Sequence, residues 1–312
     1  VIPQQPFPEV VNSSLLAQLK SCQTKAQFGS LLHFQSRNSS EHLVAGKAFA
    51  SGLEAGRKLF YVEGRPAAEA IAAGWEECVR EYGRFDPPED SPKSWSRTAG
   101  ALEYYFEAYP LGADGAKPHV FGSGTHGIEF SFVEPLPVAH PTTGQPILFS
   151  GRLDMVADAF GGVFAYDEKT TGQLGAKWIH QWEHRSQFTS YCWGMRQAGL
   201  RATGCVVRGV AIRKEGYDTL QAITYRAEWE VERWLRETVW VLEDWIAAWK
   251  RNEFRHNLDD GCNAYGGCMF TRACKSRDPG RWLEADFVRR AWDPVKRIET
   301  DLPSLGLSEM RT

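Results

Sequence analysis

The chain is 312 residues long, 43% hydrophobic and 24% charged, the composition of an ordinary soluble globular protein that can bury a sizeable core as one large domain or two ordinary ones. No stretch approaches a membrane span, and the first residues lack the basic segment and apolar run of a secretory leader. The net charge of −3 excludes a global basic field, so any nucleic-acid site must be local, and seven cysteines, an odd count, point to a reducing, cytoplasmic compartment.

The first expected element is a helix near Ser13, with Leu15, Leu16 and Leu19 as its apolar stripe and Cys22 closing it as a small core residue. A longer helix is predicted over Glu41 to Glu63, where Leu43, Ala50, Leu53, Arg57 and Phe60 fall near helical spacing. Another follows over Ala67 to Tyr82. Phe85 to Ser96 is a Pro-rich polar loop and the best boundary candidate in the first half; Ala99 to Ala108 reads as helix again. Val120 to Val133 has strand character, with Ile128, Phe130 and Phe132 alternating against Glu129, Ser131 and Val133, and Pro135 to Gln145 is a loop.

Ile147 to Thr171 organises the rest. Two apolar runs flank a reversal at Gly161-Gly162, which is the signature of a β-hairpin. Alternation along the second arm places Asp167 and Lys169 on one face and Glu168 on the other, and Asp154 on the first arm reaches the same spot as Asp167. Two carboxylates and an ammonium make poor core material unless paired or metal-bound. Such hard oxygen ligands suit Mg²⁺ or Mn²⁺, beside which a lysine can orient water or offset charge on a phosphate. The alternative is a surface hairpin carrying a solvated Asp-Lys pair.

Downstream, a helix is predicted over Gln181 to Ala198. His180 and His184 have a spacing that can hold zinc on one helix face, although the glutamate of H-E-x-x-H is missing. Gln187 and Tyr191 also share a helix face. From Arg185 to Lys214 there are six basic residues and no acidic one, a local positive surface suited to phosphate, or else a solvated face paired with acids elsewhere. Cys205 to Ile212 reads as a core strand, and Arg226 to Phe254 as a long helix with a wide apolar face made for packing. Cys262, Cys268 and Cys274 then follow in even spacing among Gly261, Gly266 and Gly267, and suggest a metal, iron or zinc, more than disulfides. Cys78, Cys192 and Cys205 read as single buried thiols, and Asp278 to Thr312 as a short helix with a polar tail.

GRLD, a hairpin and then YDEKTT resemble the core of the PD-(D/E)XK nuclease superfamily, and most of all its RecB-like branch. That resemblance, which spans roughly Ser13 to Cys274 with Arg84 to Lys117 unmatched, implies a restriction-endonuclease-like α/β fold: a mixed sheet flanked by helices, with a helical, iron–sulfur-binding periphery. It implies that Asp154, Asp167 and the Glu168 carbonyl bind Mg²⁺ or Mn²⁺ and that Lys169 is the catalytic lysine. Glu129 would be a third acid at the metal. Gln187 and Tyr191 match the branch's Q-x-x-x-Y element, which helps place DNA, with Arg185 beside it. Relatives with a [4Fe–4S] cluster take one ligand from a distant N-terminal cysteine, here Cys22, and the other three from Cys262, Cys268 and Cys274.

The resemblance departs at two points. No histidine follows Gly46 on the first long helix, where Glu54 is the nearest substitute, and the cysteine spacing is C-x5-C-x5-C where relatives have C-x2-C-x5-C. The expected organisation is one nuclease domain: residues 12–117 mainly helical, 118–214 the catalytic core, 226–277 the long helix and cysteines, 278–312 a tail. The expected activity is metal-dependent hydrolysis of DNA, exonucleolytic, in recombination, repair or phage DNA processing, in the host cytoplasm if phage-encoded. A catalytically inactive DNA-binding relative and a zinc hydrolase using His180 and His184 are the competing readings.

Overall fold

In the computed structural model, which describes residues 2–88, 91–258, 260–263 and 267–307, the elements run in chain order as follows. They are β1 (Val10–Asn12), α1 (Ser13–Ser21), α2 (Gln23–Ala26), β2 (Phe34–Ser36), α3 (Glu41–Arg57), α4 (Ala67–Tyr82), α5 (Trp95–Ala108), β3 (Lys117–Pro118), β4 (Ile128–Ala139), β5 (Pro146–Ala159) and β6 (Gly162–Thr171). After these come α6 (Ala176–His180), α7 (Ser186–Gln197), β7 (Ala202–Arg213), β8 (Gly216–Tyr225), α8 (Glu228–Arg251), α9 (Asp260–Asn263), α10 (Thr271–Cys274), α11 (Pro279–Asp286), β9 (Phe287–Asp293) and β10 (Ile298–Asp301). They fall into two units: Ser39–Phe132 with Arg152–Val231, and the remainder of the chain.

The unit containing Ser39–Phe132 and Arg152–Val231 is built around β6. This strand pairs antiparallel with β5, from Met155↔Tyr166 to Ala159↔Gly162, and parallel with β7, which pairs antiparallel with β8. Its Phe164-Ala165-Tyr166 run is buried on both faces, as a strand covered from both sides requires. The mixed sheet flanked by helices is the fold class the sequence implied. Ser40 and Ser94 accept the Leu43 and Arg97 amides and so start α3 and α5. A Cβ on Gly52 of α3 would lie 2.7 Å from the Gly74 carbonyl oxygen of α4, so that crossing requires glycine. Phe49, Leu53, Leu102, Tyr105 and Val210 close the core between α3, α5 and β7. The hairpin turns one residue earlier than its glycines suggest: Phe160 and Gly161 form the two-residue loop, both with positive φ, as the twist of a tight hairpin demands.

Three expectations change here. The strand predicted over Val120 to Val133 begins at Ile128 and runs on to Ala139, absorbing part of the expected loop. The strand β8 carried no readable signal, because its middle is half-buried and mixes Tyr217, Thr219 and Gln221 with apolar residues. The single helix expected over Gln181 to Ala198 is instead α6, a turn and α7. Trp182, Glu183 and Arg185 bond three residues back, and the buried Arg226 guanidinium takes the Trp182 carbonyl at 3.1 Å, away from a helical ladder.

In the other unit, β1 pairs parallel with the first part of β5, Val10↔Leu148 to Asn12↔Ser150, and Asn12 caps α1 by accepting the Leu15 amide at 2.9 Å. The segment after Asp278 is more than a polar tail. Its strand β9 lies between β2 and β10, and Leu283, Phe287 and Leu307 pack with Phe28, Phe34 and Phe270. On α8, Trp234, Thr238, Leu242 and Trp245 are buried at helical spacing, whereas Trp229 and Trp240 stand exposed. Among the described residues no helix is long and apolar enough to cross a membrane.

Candidate active site

Asp154 and Asp167 are the next residues along β5 and β6 beyond the Met155↔Tyr166 pair. The Asp154 Oδ2 accepts the Glu168 backbone N–H at 2.9 Å, and Lys169 Nζ lies 2.5 Å from Asp167 Oδ2. Burial, with Asp167 and Glu168 close by, pushes the Asp154 carboxyl well above the usual carboxylate range. Burial raises Asp167 too, with Lys169 working against it. Burial alone would lower Lys169, but Asp167 and Asp154 outweigh it and hold the ammonium above its ordinary value. The half-buried Asp154 and the buried Asp167, whose charge raises the Asp154 carboxyl, offer oxygen donors of the kind a hard divalent cation takes. As they stand, the described residues contain no group of three His, Cys, Asp or Glu that could hold a metal, so main chain and water would have to complete the coordination.

Glu129 at the start of β4 has φ +54°, a left-handed backbone that a non-glycine residue adopts only under constraint. Its Oε2 lies 3.0 Å from Arg152 Nη1, and its charge acts on Asp154. The Glu168 side chain points to the opposite face of the sheet from Asp167 and Lys169. There Arg57 of α3 grips both carboxylate oxygens, with side-chain exposures of 5% for Arg57 and 1% for Glu168, and Tyr105 of α5 donates to Oε1 at 3.0 Å. Arg208, the cross-strand neighbour of Glu168, donates to the Tyr105 hydroxyl at 3.3 Å and pairs with Asp114 at 2.6 and 2.9 Å. Burial would raise Glu168, but Arg57 leads the groups that hold its carboxyl below the ordinary value.

A family model for the PD-(D/E)XK nuclease superfamily matches residues 11–275. The chain belongs to the PD-(D/E)XK nuclease superfamily. Among solved structures, it is similar to a Eubacterium rectale protein proposed to be an exonuclease, at 12% identity over 81% of this chain and 86% of that one, with a TM-score of 0.49. A second, SSO0001, matches at 16% identity over 64% of this chain and 74% of that one, with a TM-score of 0.27. No curated protein matches significantly.

In this superfamily member, α7 faces the acids. Gln187 Nε2 donates to the Tyr191 hydroxyl at 2.7 Å, and burial together with Asp167 and Asp154 pushes the Tyr191 phenol well up. Arg185 is exposed at the start of α7, and its charge acts on Asp167. His180 and His184 do not share a helix, because α6 ends at His180, which pairs with Glu183, and His184 lies in the following turn. The pair required for a zinc site on one helix face is therefore absent. The expected basic surface also thins: Arg208 is buried on Asp114, Arg196 donates to the Ala202 and Arg226 carbonyls, and Arg213 pairs with Asp218. Glu54 pairs with Lys58, four residues on and just past the end of α3.

The four cysteines singled out in the sequence lie in one unit, but among the described residues they do not form a group that could hold a metal. Burial pushes the Cys274 thiol up to about 11, and the sulfurs of Cys268, Cys22 and Cys262 add to the shift. Hydrogen bonds tie the stretch around Cys22 to the segment after α8. Thr24 N–H donates to the Arg255 carbonyl at 3.1 Å, Asn257 Nδ2 to the Ser21 carbonyl at 2.9 Å, and a Cβ on Gly261 would sit 2.7 Å from that same carbonyl. The Cys268 amide donates to the Cys262 carbonyl at 2.9 Å, and Gly267 has φ +112°. Gly266 lies outside the described residues. Cys78, Cys192 and Cys205 are buried, the last two with sulfurs 3.7 Å apart. Sequence reasoning missed Arg57, Tyr105 and Arg208, although a charged residue within the apolar stripe of α3 was a usable signal for Arg57.

Proposed function

We propose that this chain is a Mg²⁺- or Mn²⁺-dependent deoxyribonuclease of the RecB-like branch that degrades DNA from its ends, in recombination, repair or phage DNA processing. The observation that carries this reading is the placement of Asp154, Asp167 and Lys169 at the end of the β5–β6 ladder, with the Glu168 N–H on Asp154. Asp154, Asp167 and the Glu168 carbonyl would hold the cation, with Glu129 beside them. Bound there, it would supply Lewis acidity and neutralise charge at the scissile phosphate. Lys169, held protonated by Asp167 and Asp154, offers an ammonium to a phosphate oxygen or to the attacking water. Tyr191, supported by Gln187, and the exposed Arg185 would place the DNA backbone.

We further propose that Cys22, Cys262, Cys268 and Cys274 hold a [4Fe–4S] cluster, whose role is to tie the first helix to the segment after α8. What supports it is the set of hydrogen bonds joining the Ser21–Thr24 stretch to Arg255–Asn257, together with the effect of Cys268, Cys22 and Cys262 on the Cys274 thiol. We take the chain as one nuclease domain working in a reducing cytoplasm, where its thiols stay available to iron.

The test is cleavage of linear and circular DNA by anaerobically purified protein, with and without Mg²⁺ or Mn²⁺. Asp154→Asn, Asp167→Asn and Lys169→Ala should each lower the rate about a hundredfold or more. Cleavage that survives chelation, or full activity in two of these variants, overturns the assignment. Equal rates on linear and circular substrates would replace end-directed with internal cleavage.

A further inference from the structure

Glu168 lies between Asp167 and Lys169 in the chain, yet its carboxylate is buried and held by side chains of two helices. Glu168 is fixed by both arms of the Arg57 fork and by the Tyr105 hydroxyl, on the face of β6 opposite Asp167 and Lys169. Behind it Tyr105 is held by Arg208, which is anchored by Asp114 and by the Gln221 side chain at 2.9 Å. Two helices thus converge on one side chain, α3 through Arg57 and α5 through Tyr105, and β7 backs the second of them through Arg208.

The main chain of Glu168 does matter to the site. Its N–H holds Asp154 Oδ2, and its two flanking residues are Asp167 and Lys169. A planar guanidinium engaged at two points fixes orientation as well as distance, which a lysine ammonium would not. We infer that Arg57 is a positioning residue: its clamp on the Glu168 side chain sets the peptide that carries Asp154 on one strand and Asp167 and Lys169 on the other, so that the two carboxylates face one cation. This rests on the nuclease reading above, and it extends that reading to residues on the far face of the sheet.

The test separates positioning from mere support of the fold. A buried pair can be replaced by apolar residues with little loss of stability, whereas removing one partner strands a buried charge. The Arg57→Met/Glu168→Leu double variant should therefore keep a thermal transition close to that of the parent. Its Mn²⁺ dissociation constant, measured by calorimetry or electron paramagnetic resonance on the folded protein, should rise about tenfold, and kcat should fall more than KM changes. Tyr105→Phe, which removes one hydroxyl and keeps the ring in the core, should raise the Mn²⁺ constant about threefold if the double variant does not fold. Arg57→Lys should restore stability relative to Arg57→Met without restoring parental Mn²⁺ affinity. Parental Mn²⁺ affinity in the double variant, or in Tyr105→Phe, overturns the inference while leaving the nuclease reading intact. Mn²⁺ binding by the parent that Asp154→Asn does not diminish overturns both.

Discussion

Gln187 donates through Nε2 to the hydroxyl of Tyr191 at 2.7 Å, one turn along α7, and that hydroxyl lies within electrostatic reach of Asp167 and Asp154. Accepting from Gln187 leaves the phenol O–H free to donate outward from the helix. Tyr191→Phe removes that donor and keeps the buried ring, so the thermal transition should stay within a few degrees. Turnover or DNA affinity should fall about tenfold, the worth of roughly one hydrogen bond. Kinetics equal to the parent in both Tyr191→Phe and Gln187→Ala would reduce this pair to core packing.

Glu129 combines a left-handed backbone with a carboxylate near Asp154. Glu129→Gly relieves the backbone and should hold or raise stability by about 1 kcal/mol, while Mn²⁺ affinity and cleavage fall. Glu129→Gln keeps the strain, loses the charge, and should show the same functional loss without the gain in stability. Thermal melts alongside Mn²⁺ titrations separate these outcomes. An ordinary strand glutamate would leave cleavage untouched in both variants.

The hairpin, the placement of Asp167 and Lys169 on one face and the sheet-with-helices architecture were legible because they follow from period-two alternation and turn residues, which are local. Glu168 illustrates the limit. Alternation sends it to the far face, but only the packing of α3 and α5 on that face brings Arg57 and Tyr105 to it, across 111 and 63 positions of sequence. The same limit applies to the basic run from Arg185 to Lys214. Its charge pattern read as a phosphate surface, yet Arg208 meets Asp114 through a contact 94 residues away and Arg196 turns to main-chain carbonyls. His180 and His184 had helical spacing in a stretch where the ladder breaks, and that break depends on Arg226, 44 residues beyond Trp182. Spacing reports faces within an element; it does not report which elements end where, or what waits opposite.

Phe160 occupies the first turn position of the central hairpin at φ +50°, 60% exposed. A bulky residue there is strained, whereas asparagine followed by glycine suits such a loop. Phe160→Asn gives up one edge contact with Phe164, at a 5.9 Å centroid separation. It should nevertheless raise stability by about 0.5–1 kcal/mol, read as a higher denaturant midpoint, with cleavage unchanged because the turn lies at the other end of the β5–β6 ladder from Asp154 and Asp167. A lowered midpoint would mean that the ring contact outweighs the backbone strain.

The cysteine group makes the last prediction. Four thiolates are what a [4Fe–4S] cluster requires, and hydrogen bonds already join the Ser21–Thr24 stretch that holds Cys22 to the Arg255–Asn257 stretch that leads into the other three. Anaerobically purified protein should be brown, with about four irons per chain. Alanine at Cys22, Cys262, Cys268 or Cys274 should bleach it and lower the thermal transition, because metal binding at such a site contributes directly to folding. Gly261→Ala should do the same more weakly, since a Cβ there meets the Ser21 carbonyl at 2.7 Å and forces the two segments apart. Cys78→Ala, in the core between α3, α4 and α5, should leave the iron content unchanged. Zinc in a Cys₄ site needs the same ligands, so colourless protein with one zinc per chain would exchange the cluster for a structural zinc. The cleavage predictions for Asp154, Asp167 and Lys169 would stand in either case, because none of them draws on the cysteines.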